Sequence, residues 1–195
     1  MIAQPVAFQW IEAKTSAKAG VGYKILACVA FALATAIGAQ IRINLGFTPV
    51  PITLQTLFVF SSGLFLGPWF GLLSQALYVS MGAAGLPVYS DGGHGVEKLF
   101  GATGGYLLGF MLYSYLSGQL FYGRLQKSKL FVLQAFQLYL LSVVAVFVPG
   151  VVVLKIVLGV DWAQALLMGY VPFVLGDIVK ISIGLAATRR VLKRL

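Results

Sequence analysis

Residues 53–84 read TLQTLFVFSSGLFLGPWFGLLSQALYVSMGAA, without one charged side chain. A bilayer core takes about 20 apolar residues per helix, so this stretch is either one long rod or two short ones. Gly67-Pro68 divides it. Proline removes a backbone donor and clashes with the preceding turn, while glycine tolerates the angles of a sharp reversal. Two rods give the chain six spans; one rod gives five.

The flanking charges favour two. The uncharged run extends from Arg42 to Asp91, and a second lies between Lys129 and Lys155. Six spans follow: Ile25–Ile41, Thr53–Leu66, Trp69–Ala84, Gly104–Tyr122, Leu130–Leu154 and Ala165–Ala187. With the amino terminus inside, the inner segments hold Lys14, Lys18 and Lys24, then Arg124, Lys127 and Lys129, then Arg189, Arg190, Lys193 and Arg194. The outer loops hold only Arg42, Lys98 and Lys155 as basic residues. Basic residues concentrate on the cytoplasmic side of membrane proteins. Five spans would set the Arg124–Lys129 cluster opposite the amino terminus. The expectation is an all-α integral membrane protein with six transmembrane helices and both termini cytoplasmic.

Composition agrees. Of 195 residues, 59% are hydrophobic and 10% charged, against about 25% charged in an average soluble domain. Mean hydropathy is +0.93. So few charges cannot cover so much apolar surface in water, which excludes a soluble enzyme, a disordered chain and a disulfide scaffold. The net charge of +9 would suggest nucleic acid in a polar chain; here it reads as membrane topology, with no nucleic-acid partner. Cys28 and His94 are the sole residues of their kinds, which excludes a disulfide and a multi-His or multi-Cys metal site. There is no GxxxxGK[ST] phosphate loop and no ordinary catalytic constellation, so neither an enzyme nor a cofactor is expected. A single membrane domain covers 1–195: an interfacial segment over 1–20, with Phe8 and Trp10 beside Lys14 and Lys18, a six-helix bundle over 25–187 and a basic tail over 188–195. The first apolar run leads into further spans, unlike a cleaved signal peptide.

Polar chemistry gathers in three places. After the first span, Pro49 and Pro51 forbid a continuous helix and carry Thr53 and Gln55 to just below the outer surface. The segment is either a proline-rich cap or a loop that offers Thr and Gln hydrogen bonds to a ligand. Between the third and fourth spans, a glycine-rich loop over 82–106 is punctuated by Tyr89, Phe100 and Tyr106. It is either a flexible linker or a lid over a pocket, since irregular backbone at membrane depth persists only where buried or lining a cavity. In the last span, Gly176-Asp177-Ile178-Val179-Lys180 sets two opposite charges on one helix face. They either neutralise each other or serve a ligand. An acceptor carboxylate beside a donor ammonium suits a neutral ring with adjacent N–H and C=O groups, such as a ureide, and intramembrane ionisable residues usually mark function. Cys28, Ala32 and Ala36 form a small-residue stripe, as do Ala30, Ala34 and Gly38, and Gly105 with Gly109. Such stripes admit close helix contacts.

The ordered run GFTPVPITLQ (46–55), GLFLGP (63–68), GAAGLPVY (82–89), GGHG (92–95), GATGGYLLG (101–109) and GDIVK (176–180) resembles the BioY family, the biotin-binding subunits (S-components) of energy-coupling factor (ECF) transporters. The likeness covers roughly residues 25–190. It implies a six-helix S-component fold in the bacterial inner membrane and biotin capture at the outer face. Delivery inward would use two cytoplasmic ATPases and one transmembrane coupling subunit. It implies that Asp177 and Lys180 belong to the biotin site. The residues singled out above, Gln55 and Thr53 by hydrogen bonds and Tyr89, Phe100 and Tyr106 by their aromatic faces, are expected to complete it. His94 stands where the family often has an arginine, and Lys98 is the expected substitute. Leu175 stands where a proline commonly precedes the GD pair. The family's docking stripe matches Cys28, Ala32 and Ala36. An S-component for another vitamin and a stand-alone secondary carrier are the alternatives.

Overall fold

A computed structural model describes residues 20–122 and 131–194. The expected interfacial segment and the Arg124–Lys129 cluster lie outside the described residues. Helix α1 spans Gly20–Gln40. Two-residue strands β1 (Arg42–Ile43) and β2 (Ile52–Thr53) pair antiparallel, Arg42 opposite Thr53, and close the proline loop. This small ladder qualifies the all-α expectation.

Residues 53–84 form two helices, α2 (Gln55–Leu66) and α3 (Pro68–Ala83). Gly67 joins them at φ 81°, ψ 177°, and Pro68 starts α3, where its missing N–H is harmless. The two helices fold back on one another: a Cβ at Gly71 would lie 2.8 Å from Gly63 Cα. The described residues continue with the short α4 (Glu97–Phe100) and α5 (Gly104–Phe121). Then come α6 (Phe131–Ser142), a π turn (Val143–Phe147) and α7 (Val148–Leu158), which form one run. Helix α8 (Trp162–Gly169), a 3-10 turn (Val171–Phe173) and α9 (Val174–Arg194) end the chain.

Three boundaries differ from expectation, each for a local reason. Lys155 lies inside α7, which runs on to Leu158 and is stopped by the left-handed Gly159. The expected span Ala165–Ala187 is broken. Pro172 lacks the N–H that would bond the carbonyl of Met168, and the Thr48 hydroxyl donates to that oxygen instead at 2.8 Å. Finally, α9 continues through the basic segment to Arg194.

Helix α5 is central, packed on α2, α3 and α7. Its approach requires glycine: a Cβ at Gly63 would overlap the Ser114 carbonyl, and one at Gly118 would meet Pro68 N at 2.5 Å. Polar side chains lie inside. Thr35, Ser62, Ser74, Gln75 and Ser114 are fully buried. Gln75 donates to Ser62 and Ser74, both at 3.2 Å, and accepts from Thr35 at 3.3 Å. Leu26, Trp69, Val132, Ile156 and Leu175 instead face outward. Apolar outside and hydrogen-bonded inside is the pattern a bilayer imposes. Three runs, Gly22–Gln40, Phe131–Leu158 and Trp162–Val191, are long and apolar enough to cross a membrane, and α2 is a shorter apolar helix.

The expected docking stripe requires correction. Cys28, Ala32 and Ala36 are buried, and the Cys28 thiol donates to the Phe70 carbonyl of α3 at 3.2 Å. These small residues let α1 pack inward, so in this structure the stripe lies within the chain's own core instead of on its surface.

Candidate ligand-binding site

Asp177 and Lys180 lie one turn apart in α9, with side chains 2% and 9% exposed. Their Oδ1 and Nζ atoms are 2.7 Å apart. Strand β2 and helix α2 complete the arrangement. Lys180 Nζ also donates to the Thr53 carbonyl at 3.1 Å and to Thr56 Oγ1 at 3.0 Å, and Thr56 donates to Asp177 Oδ1 at 3.3 Å. An ammonium has three donors, and all three are directed at the protein. The carboxylate is not saturated: Asp177 Oδ2 is buried without a partner. A buried acceptor in that state costs about 1–3 kcal/mol, which a donor entering from the cavity would recover.

That cavity encloses about 190 Å³ and is lined by Asp177, Lys180, Thr53, Gln55 and Thr56 at its polar floor. A single water needs only about 10–15 Å³, so the space suits a small organic molecule. Tyr106, Leu107, Phe110, Val146, Phe147 and Phe173 form an apolar wall. Phe147 anchors it, edge-on to Tyr106 and Tyr170 at centroid distances of 6.3 and 5.2 Å. The π turn that carries Phe147 has a cause in the chain: Pro149 denies a donor to the Ala145 carbonyl, and the Val148 N–H reaches Val143 instead.

The proline loop and the glycine-rich loop roof the cavity. The proline loop contributes Asn44, Pro49, Val50 and Pro51, and the glycine-rich loop contributes Tyr89, Ser90, Asp91 and Lys98. They are joined by an Arg42–Asp91 ion pair. Gln40 adds a bond to the Tyr89 carbonyl at 2.9 Å. Asp91 sits at φ 64°, an uncommon angle for a residue with a side chain. Burial raises the Tyr89 phenol above its ordinary pKa.

Of the residues expected at the site, Asp177, Lys180, Gln55, Thr53, Tyr89, Lys98 and Tyr106 line the cavity. Two do not, and are corrected. Phe100 is 78% exposed, because the short α4 turns it outward. His94 is exposed and bonded only to the Gly92 carbonyl at 3.1 Å. Gln55 is also less free than expected: its amide donates to Tyr78 at 2.7 Å and accepts from Thr53 at 2.8 Å. Thr56, Phe110, Phe147 and Phe173 were missed by sequence reasoning. Phe110 was findable, four residues beyond Tyr106 on the same helix face; Phe147 and Phe173 come from distant segments that no spacing connects.

The fold and this cavity define the class: a helical membrane protein with a chamber of small-molecule size beneath two loops. The overall fold matches the crystal structure of the S-component for biotin from an ECF-type ABC transporter, with a TM-score of 0.79 at 24% identity, over 88% of this chain and 91% of that one. The BioY family model matches residues 13–195. The biotin transporter BioY of Thermotoga maritima is 40% identical over 161 residues, 80% of this chain and 88% of the relative. That of Rhizobium etli is 28% identical over 172 residues, 86% of this chain and 91% of the relative. The chain belongs to the BioY family.

Proposed function

We propose that this chain is the biotin-capture subunit of an ECF transporter in the cell membrane of a bacterium. Biotin would enter from the outer face, its ureido N–H donating to Asp177 Oδ2 and its bicycle resting on Tyr106, Phe110 and Phe147. One observation carries the reading: Asp177, whose Oδ2 is buried without a partner, lines a cavity with an apolar wall. Lys180 then acts as the countercharge that orients Asp177. The names of its relatives support biotin over other vitamins. The same reading gives six crossings with both termini cytoplasmic, and delivery inward by two ATPases and a transmembrane coupling subunit, with no catalysis by this chain.

Calorimetric titration of the detergent-solubilised chain tests the ligand. Biotin binds and thiamine and riboflavin do not; binding of either of those instead would overturn the assignment. Asp177→Asn weakens biotin binding by about 1.5–3 kcal/mol, the worth of a hydrogen bond to a charged group; unchanged affinity would remove Asp177 from the site. A reporter fused to the carboxyl terminus reads cytoplasmic. Proteoliposomes holding this chain alone do not accumulate biotin, and uptake there would favour a stand-alone carrier.

A further inference from the structure

Tyr78 of α3 is fully buried and is not part of the cavity lining. Its ring is held edge-on to Tyr89 at a centroid distance of 5.7 Å. The hydroxyl accepts from the Gln55 amide at 2.7 Å and donates to the Val88 carbonyl at 3.3 Å. A tyrosine hydroxyl has one hydrogen, so the bond to Val88 leaves Tyr78 only acceptor capacity for Gln55. The Val88 carbonyl takes no other hydrogen bond among the described residues. At the other end of the same amide, Thr53 Oγ1 donates to Gln55 Oε1 at 2.8 Å and accepts from the Gln55 backbone N–H at 3.3 Å. Turning the amide over would set its oxygen against Tyr78, which would have to give up Val88 to donate. It would also deprive the Thr53 hydroxyl of its acceptor. Both ends therefore select one orientation. In it, Gln55 lines the cavity with one amide hydrogen that has no acceptor among the described residues. Lys180 has no donor to spare, since its three serve Asp177, Thr53 and Thr56.

We propose that Tyr78 is a positioning residue, which holds the Gln55 amide so that Gln55 meets the ligand as a hydrogen-bond donor beside the acceptor Asp177. The inference rests on the biotin reading and adds a partner for the ureido oxygen. Lys180 could serve that oxygen only by giving up a bond to the protein, whereas Gln55 loses nothing. An acceptor from α9 and a donor from α2 then match the adjacent N–H and C=O of a ureide. Tyr78 itself touches no ligand and acts through Gln55.

Titration of the detergent-solubilised chain with biotin and with 2-thiobiotin, in which sulfur replaces the ureido oxygen, tests this. Sulfur is a weak acceptor, so the wild type binds biotin roughly tenfold more tightly than the analogue. Tyr78→Phe keeps the ring and removes the hydroxyl. It weakens biotin binding by up to roughly tenfold and shrinks the preference over the analogue, and Gln55→Leu removes that preference. Because Tyr78 acts through Gln55, the double variant Tyr78→Phe/Gln55→Leu binds biotin no more weakly than Gln55→Leu alone. A merely structural tyrosine would leave the preference unmoved and multiply the two losses; either result overturns the role of Tyr78. A wild type that binds both compounds equally overturns the Gln55 donor without recourse to any variant, and leaves the biotin reading intact. A wild type that binds neither compound overturns both.

Discussion

Thr56 shows how a neutral side chain can govern a charged one. It accepts from Lys180 and donates to Asp177 Oδ1, while Oδ2 of the same carboxylate is left without a partner. Thr56→Val keeps the shape and removes both bonds. Biotin affinity should then fall by about 1 kcal/mol or more, with Thr56→Ser restoring it, as read by titration. Removing the charge of Lys180 should be harsher, since breaking a buried pair costs about 3–5 kcal/mol. Lys180→Met is therefore expected to lower thermal stability in detergent as well as biotin affinity. The GDIVK stretch was legible as an intramembrane charge pair. The engagement of all three Lys180 donors was not, because two of their acceptors, Thr53 in β2 and Thr56 in α2, lie more than a hundred residues earlier in the chain.

At the scale of helices, the glycines divide into those that permit a contact and those that do not. Gly63 faces the Ser114 carbonyl so closely that a methyl group has no room, whereas a Cβ at Gly22 meets nothing within 4 Å. Gly63→Ala should destabilise the chain by about 1–3 kcal/mol through overpacking. Gly22→Ala should be neutral or stabilise it by up to about 1 kcal/mol. Melting temperatures of the two variants in one detergent check the pair. The break at Gly67-Pro68 was readable because both residues act on their own backbone. Pro172 should have been read the same way; the unbroken apolar run around it hid the break. The fate of the α1 stripe was not readable, since small residues suit an internal contact and a partner's helix equally, and only packing on α3 distinguishes them.

Over the whole molecule, two loops far apart in sequence close one chamber, and the Arg42–Asp91 pair ties them. Its side chains are 29% and 72% exposed, so Arg42→Gln should change global stability by less than about 1 kcal/mol. Its effect should appear in kinetics: with the tie between the two roofing loops cut, labelled biotin should wash out faster. High salt should speed release from the wild type in the same way and leave the variant nearly unaffected. Saturation should protect the fold as a whole. At a free biotin concentration 100 times Kd, linkage adds about 2.7 kcal/mol, visible as a higher melting temperature whose rise Asp177→Asn cuts by about half or more.

Composition and periodicity were enough to read a greasy helical chain with a buried charge pair, because hydropathy, proline and glycine act locally and leave their mark in adjacent residues. The ordered motifs were enough for the family. The chamber was not contained in any of them. Its wall joins Tyr106 and Phe110 of α5 to Phe147 of a π turn and Phe173 beyond a broken helix, and its floor joins α2 to α9. Packing in three dimensions turned Phe100 and His94 outward, buried the docking stripe and left Asp177 Oδ2 and Ser90 Oγ without partners. Whether a polar atom is satisfied depends on neighbours that the chain brings together only when it folds.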